Sequence, residues 1–451
     1  MTARLRAKLA APGFVRNVSV LLGGTVLGQA ASLALAPVLT RLYSPAQFAD
    51  LSVYTAVLAI LGVTAALGFD LAIPLAASAI ELANLIVVAG LALALTGWVI
   101  GLAFWLLPSS ALAAIWLAPL DDHRALVPLG VACLGGYYVM VAAASCAGRF
   151  ADIARTRLTQ GVGGPLSQIA LGLAGVGTRG LAVGFVIGQS SGTLLLLWRV
   201  LLGRAELRSA ISWRGVRAAA GRYVRFPLFA SWSRVVDMAG SGTVLYLLFS
   251  TCYPGATAGY MFLAERLVAR PLLMVSSSLL QVFTGEAGRM ARDDPAALGR
   301  RFGQVVPLQL LVALAWILPL NLAAPWLVPV LFGAAWIAAI PCLQALSLSY
   351  VALAVLHPVS TTLQLLDRQG LSAAWQVLRL AALVGAALAA WQAGLSAVGA
   401  LWVCSAVQAA ACAGMLASMA LCIRRGAAVL PHPQEEDDPS AAARAFQLER
   451  P

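Results

Sequence analysis

Read in windows of about 19 residues, the chain alternates long apolar stretches with short polar breaks, a rhythm set to the thickness of a lipid bilayer. The apolar stretches lie near 18–39, 51–76, 84–107, 125–147, 158–177 and 180–202, then near 228–250, 257–283, 304–323, 336–358, 371–392 and 397–422. Hydrocarbon offers no partner for backbone N–H and C=O groups, so each stretch is expected as a helix that satisfies its own backbone. The pattern predicts an all-α polytopic membrane protein of about 12 transmembrane helices.

Composition agrees. Of 451 residues 61% are hydrophobic and 11% charged, with a mean hydropathy of +0.87, where soluble domains carry roughly 25% charge. A net charge of +12 would raise nucleic-acid binding in a soluble protein. Here the basic residues fall in breaks between spans, where positive charge retained in the cytoplasm explains them, and no nucleic-acid partner is expected. Cys133, Cys146, Cys252, Cys342, Cys404, Cys412 and Cys422 show no paired spacing, which argues against metal sites and disulfides. Arg4, Arg6, Lys8 and Arg16 precede a run too long for a secretory signal, so that run is expected as the first helix.

Arginine distribution sets the expected orientation. Alternate breaks carry Arg149, Arg155 and Arg157, the series from Arg199 to Arg225, then Arg289, Arg292, Arg300 and Arg301, then Arg368, and finally Arg424 and Arg425. The opposite breaks show only Arg41, Arg124 and Arg179. Both termini are therefore expected in the cytoplasm. The longest internal break, 203–226, divides the chain into an N-terminal lobe (1–202) and a C-terminal lobe (227–423), with a disordered acidic tail expected over 424–451. The Arg/Trp composition of the break (Trp213, Arg214, Arg217) suits a helix lying on anionic headgroups. A shift of 209 residues aligns Arg16 with Arg225, Pro45 with Pro254 and Ala49 with Ala258, as expected for two parallel repeats.

An ionisable group at mid-bilayer costs at least about 2.5 kcal/mol, so charges inside spans mark candidate function. The seventh span holds Arg234 and Asp237, the eighth Glu265, Arg266 and Arg270, and the eleventh Arg379. Some of these can be structural ion pairs, but the arginines outnumber the available carboxylates, and surplus fixed positive charge suits an anionic ligand. Asp70 and Arg41 lie near span ends and are expected to be structural. His123, His357 and His432 stand singly, without metal-site spacing. Gly23, Gly24 and Gly28, Gly161 with Gly163, Gly164 and Pro165, Pro271 and Pro319 allow close helix approach or local unwinding. No nucleotide-binding or hydrolase motif is visible, no cofactor is expected, and no external break exceeds about 20 residues, too little for an outward catalytic domain.

The segment Arg16-Asn17, Leu39-Thr40-Arg41-Leu42-Tyr43-Ser44-Pro45 with Phe48, and Asp70-Leu71-Ala72-Ile73-Pro74 resembles the polysaccharide flippase family. The second half is similar in the same way: Arg225-Phe226-Pro227, Gly259-Tyr260, Arg266, Gln281-Val282-Phe283, Trp336, Pro358 with Ser360, and Arg379. Ala49 departs from the family's usual glycine, Asp70 from its commoner glutamate, and Arg270 adds an unexpected charge. The resemblance implies two six-helix lobes around a V-shaped cavity. It further implies a carrier of undecaprenyl-pyrophosphate-linked oligosaccharides across the bacterial inner membrane, working beside polysaccharide polymerase partners. On this reading Arg234, Arg266, Arg270 and Arg379 hold the pyrophosphate or an acidic sugar, and Asp237 or Glu265 binds a coupling proton or sodium ion. The rivals are a drug or cation exporter of the same superfamily, which needs a carboxylate-lined cavity, a lipid II flippase, favoured by more than twelve helices, and a glycan polymerase or ligase.

Overall fold

A computed structural model describes residues 12–76, 78–203, 205–224, 226, 231–293 and 295–425. The expected acidic tail, with His432, lies outside these residues beyond Arg425. The described residues form helices without strands.

Twelve long helices follow the apolar stretches. In the first half they are α1 (Pro12–Leu42), α2 (Pro45–Gly62), α3 (Ala79–Leu106), α4 (Leu126–Cys146), α5 (Phe150–Leu173) and α6 (Thr178–Leu197, extended by a π-helical turn Trp198–Leu202). In the second half α7 comprises Ser231–Met238, a π-helical turn Ala239–Thr243 and Val244–Cys252. It is followed by α8 (Thr257–Asp293), α9 (Pro295–Phe332), α10 (Ala339–Leu356), α11 (Gln369–Gln392) and α12 (Ala397–Arg424).

Eleven of the twelve are long and apolar enough to cross a membrane. The exception is α5, whose Thr156, Gln160, Gln168 and glycines lower its apolar content. It lies against α1 and α6, which supply packing that lipid would not. Gly24, Gly28 and Gly161 let α1 and α5 cross almost backbone to backbone: a methyl at Gly161 would fall 2.1 Å from the Gly28 carbonyl oxygen.

Boundaries moved where capping outweighed apolarity. The second helix begins at Pro45 rather than 51, because Ser44 and Gln47 form a reciprocal capping box and Pro45 fits the first turn. It ends at Gly62, and the chain then turns through Leu67 and Gly68, both in the left-handed region, into Phe69–Ala72. Similarly, α5 starts eight residues ahead of the expected 158, at Phe150. The ninth span runs through four internal prolines to 38 residues, as membrane helices tolerate.

Within the first half α4 contacts α2, α3 and α6, and within the second α10 contacts α8, α9 and α12. The halves meet chiefly through α2 against α8 and α7. Phe48 and Trp336, both fully buried, stack edge to face at 5.1 Å, and Trp336 Nε1 donates to the Thr40 carbonyl at 3.0 Å. A methyl at Gly259 would fall 1.9 Å from the Pro45 carbonyl oxygen and 2.9 Å from the Ala49 nitrogen. The segments aligned by the 209-residue shift thus touch one another. These contacts gather at the end of the bundle where α1 finishes.

Two arginines that break the charge rhythm are absorbed locally at that end. Arg124 pairs with Asp121 and donates to the Leu107 carbonyl at 2.6 Å, closing the end of α3, while Arg41 donates to the Val330 carbonyl at 3.3 Å. The hydroxyl of Ser109 and then the Arg124 guanidinium hold the Asp121 carboxyl below the usual carboxylate range. Between the halves, a ten-residue helix, Trp213–Arg222, is docked on α3. There Asn84 accepts from the Ser212 backbone N–H at 3.1 Å, and Arg222 pairs with Glu81 at 3.1 Å. Its Trp213, Arg214 and Arg217 face outward.

Candidate functional site

A central cavity of about 800 Å³ lies between the halves, lined by α1, α2, α4, α5 and α6 on one side and α7, α8, α10 and α11 on the other. Five of the six charges singled out from the sequence line it: Asp237, Glu265, Arg266, Arg270 and Arg379.

Arg234 is the sixth, and the structure does not bring it there. It reaches from α7 to the first half, where Nη1 donates to Asp70 Oδ2 at 2.7 Å and the guanidinium stands 6.0 Å from the Tyr138 ring centre. The Asp70 side chain is 7% exposed, so this is a largely buried pair. The acid of Arg234 is not Asp237, three residues along α7, but one 164 residues distant.

Asp237 instead faces Arg379, with 3.5 Å between Arg379 Nη2 and Asp237 Oδ1, a loose contact. Arg379 is buried and its Nε has no hydrogen-bond partner, while the Asp237 side chain is 64% exposed. Two residues beyond Asp237 the helix loosens into its π-helical turn, where Gly242 takes φ 108°, a conformation only glycine adopts freely. Ser241 and Thr243 of that turn also line the cavity.

On α8, Glu265 accepts the Tyr246 hydroxyl, so its negative charge is not committed to an arginine. Arg266 donates to Ser32 Oγ of α1 at 3.0 Å and lies 5.6 Å from the Phe262 ring centre; among the described residues it has no carboxylate partner. Arg270, one turn further on, has neither a hydrogen-bond nor an ion-pair partner among the described residues, and is exposed to the cavity.

One cavity cation was missed from sequence. Arg157 lines the cavity from α5, although its position beside Arg149 and Arg155 assigns it to a cytoplasmic break. The early start of α5 carries it two turns into the helix, and the Phe150-Ala-Asp152 opening is the signal that locates that start. The lining thus holds four guanidinium groups, on Arg157, Arg266, Arg270 and Arg379, against the carboxylates of Asp237 and Glu265. Gln29, Gln160, Gln168, Gln189, Thr55, Ser277 and Ser360 add neutral polar groups. Such a chamber can bind an anion and keep hydroxyl groups hydrogen-bonded away from lipid.

Comparison with known proteins decides the family. Residues 38–341 match the family described as polysaccharide biosynthesis protein. The chain belongs to that family. Among solved structures this polysaccharide biosynthesis protein is similar to "Lipid II flippase MurJ, inward closed conformation", with a TM-score of 0.68 and 10% identity over 92% of this chain and 90% of that one. It is also similar to an inward-facing multidrug resistance MATE transporter of the MOP superfamily, with a TM-score of 0.62 and 14% identity over 89% and 95% of the two chains. A MOP superfamily transporter from Pyrococcus furiosus gives a TM-score of 0.57 at 16% identity over 92% and 96%. At these identities the likeness is one of fold, and it establishes the two-lobed, helical architecture expected from sequence. No curated protein sequence matches this chain.

Proposed function

We propose that this membrane protein is a flippase for polyprenyl-diphosphate-linked oligosaccharides, moving them from the cytoplasmic to the outer leaflet of a bacterial inner membrane during surface-polysaccharide synthesis. The observation that carries this reading is the pair Arg266 and Arg270, adjacent on one face of α8, lining a chamber between two lobes and lacking carboxylate partners among the described residues. Unneutralised guanidinium groups at mid-membrane are costly, and a diphosphate supplies the compensating charge in bidentate geometry.

The rest of the chamber suits the glycan. An unpaired hydroxyl taken into hydrocarbon costs roughly 4 to 8 kcal/mol, so several sugars cannot cross by diffusion. Amide and hydroxyl side chains around 800 Å³ of space replace the lost water contacts, while the polyprenyl tail stays in lipid. With both termini in the cytoplasm, the Phe48–Trp336 and Gly259–Pro45 contacts close the external side. Release outward then requires those contacts to part, in alternating access between the two lobes. Arg379 joins the diphosphate site when the anion displaces Asp237, and Asp237 or Glu265 takes up a coupling proton or sodium ion. Arg234 stays with Asp70, outside the site. The chain acts as a carrier, not an enzyme, alongside a polymerase that consumes its product.

The test is deletion of the gene followed by identification of the lipid-linked intermediates. Accumulation of a diphosphate-linked oligosaccharide on the cytoplasmic leaflet supports the proposal, and its absence together with altered drug or cation tolerance overturns it.

A further inference from the structure

The two walls of the cavity differ in kind. The wall formed by the second half carries Arg266, Arg270, Arg379, Asp237 and Glu265, whereas among the described residues the wall formed by α1, α2, α4, α5 and α6 holds a single charged group, Arg157, and no carboxylate. Arg157 lies 5.3 Å from the Tyr137 ring centre and has no ion-pair partner among the described residues. Its neighbour Arg155, by contrast, is taken by Asp152 at 3.4 Å.

Neutral amides flank Arg157. One turn along α5, Gln160 donates from Nε2 to Gln189 Oε1 of α6 at 3.1 Å, leaving the Gln189 amide nitrogen and further Gln160 lone pairs to face the cavity, which both side chains line. The stripe Arg157, Gln160, Gly161, Gly164 and Gln168 faces the cavity at helical spacing. Its position is fixed by the backbone crossing with α1, where a methyl at Gly28 would fall 2.4 Å from the Arg157 carbonyl oxygen.

We propose that this wall is a second anion subsite, for a sugar carboxylate, so that the transported oligosaccharide contains a uronic-acid-type residue. The inference rests on the flippase reading and deepens it. A diphosphate draws more than one cation, and the two unneutralised arginines of α8 lie on the other wall. One guanidinium among amides instead matches one carboxylate surrounded by hydroxyls, with the fork of Arg157 on the carboxylate and Gln160 and Gln189 on neighbouring hydroxyls. A hydrogen bond to a charged group of this kind discriminates by about 10- to 100-fold.

The experiment uses the full-length protein in liposomes and two synthetic polyprenyl-diphosphate disaccharides, identical except that the distal sugar is glucuronic acid in one and glucose in the other. The reading is the ratio of their translocation rates, in which loss of active protein cancels. The wild type is expected to favour the glucuronate substrate by about 10-fold or more, Arg157→Gln to bring the ratio near one, and Arg157→Lys to retain part of it. Arg266→Gln is expected to slow both substrates and keep the ratio. If Arg157→Gln does not fold, Gln189→Leu provides the second reading, with a reduced ratio expected. A wild-type ratio near one, or a ratio unchanged in Arg157→Gln or Gln189→Leu, overturns the subsite while leaving the flippase intact. Failure of the wild type to move either substrate overturns the flippase reading itself.

Discussion

Arg234 and Asp70, 164 residues apart, meet at 2.7 Å and join α7 to the short helical segment that follows α2. The pair spans the two halves at the end of the bundle opposite the Phe48–Trp336 contact. On the flippase reading, cargo entering from that side would part this pair.

Breaking the pair on one side leaves a largely buried charge alone, at a cost of up to about 3 to 5 kcal/mol when burial is complete; the 24% exposure of Arg234 lowers that figure. Asp70→Asn is expected to lower the Tm and to raise labelling of a cysteine placed in the cavity. The exchange Asp70→Arg with Arg234→Asp is expected to restore both, together with export. Failure of the exchange to recover export would return Arg234 to substrate binding.

Arg266 and Arg270 differ from this pair in lacking an acid among the described residues. Replacing Arg270 by glutamine removes a repulsive charge and is expected to leave the Tm unchanged or raised while reducing translocation by about 10-fold or more. Arg266→Ala is expected to abolish polymer export at normal protein level. Thermal denaturation beside a transport assay checks the split: a loss of Tm matching the loss of transport would make these arginines structural.

The α1–α5 crossing gives a packing test with an internal control. Gly161→Ala drives a methyl to 2.1 Å from the Gly28 carbonyl oxygen, whereas Gly23 has nothing within 4 Å. The first change is expected to cost about 1 to 3 kcal/mol by overpacking, and Gly23→Ala is expected to be neutral or slightly stabilising through helix propensity. Denaturation midpoints of the two variants in the same detergent decide it.

Coupling is tested at Glu265. Its Tyr246 partner can donate equally to the amide oxygen of Glu265→Gln, so the fold is expected to persist. If Glu265 carries the coupling ion, an imposed proton or sodium gradient accelerates the wild type and has no effect on the variant. Equal acceleration of both assigns coupling to Asp237, for which Asp237→Asn is the matching test.

Much of this architecture was legible in the sequence because bilayer thickness imposes a length that apolar runs must meet. Eleven of the twelve helices meet that constraint, and the cost of charge in hydrocarbon singled out the five charged residues that line the chamber. What escaped was tertiary. No spacing rule pairs Arg234 with Asp70 rather than Asp237, since that choice depends on how the halves pack. Arg157 was hidden by the polarity of α5, a helix shielded by α1 and α6 and therefore exempt from the apolar rule that finds the others. The start of α2 at Pro45, ahead of the expected 51, is set by the Ser44–Gln47 capping box, a local signal that apolar windows do not read.

The central claim is that unpaired arginines between the halves carry a lipid-linked diphosphate. Its most direct measurement is leaflet exchange of a fluorescent polyprenyl-diphosphate disaccharide in liposomes containing the wild type or Arg266→Gln with Arg270→Gln. The account predicts exchange by the wild type and background exchange by the double variant at an unchanged Tm. Equal exchange by both proteins, or none by the wild type, would contradict it.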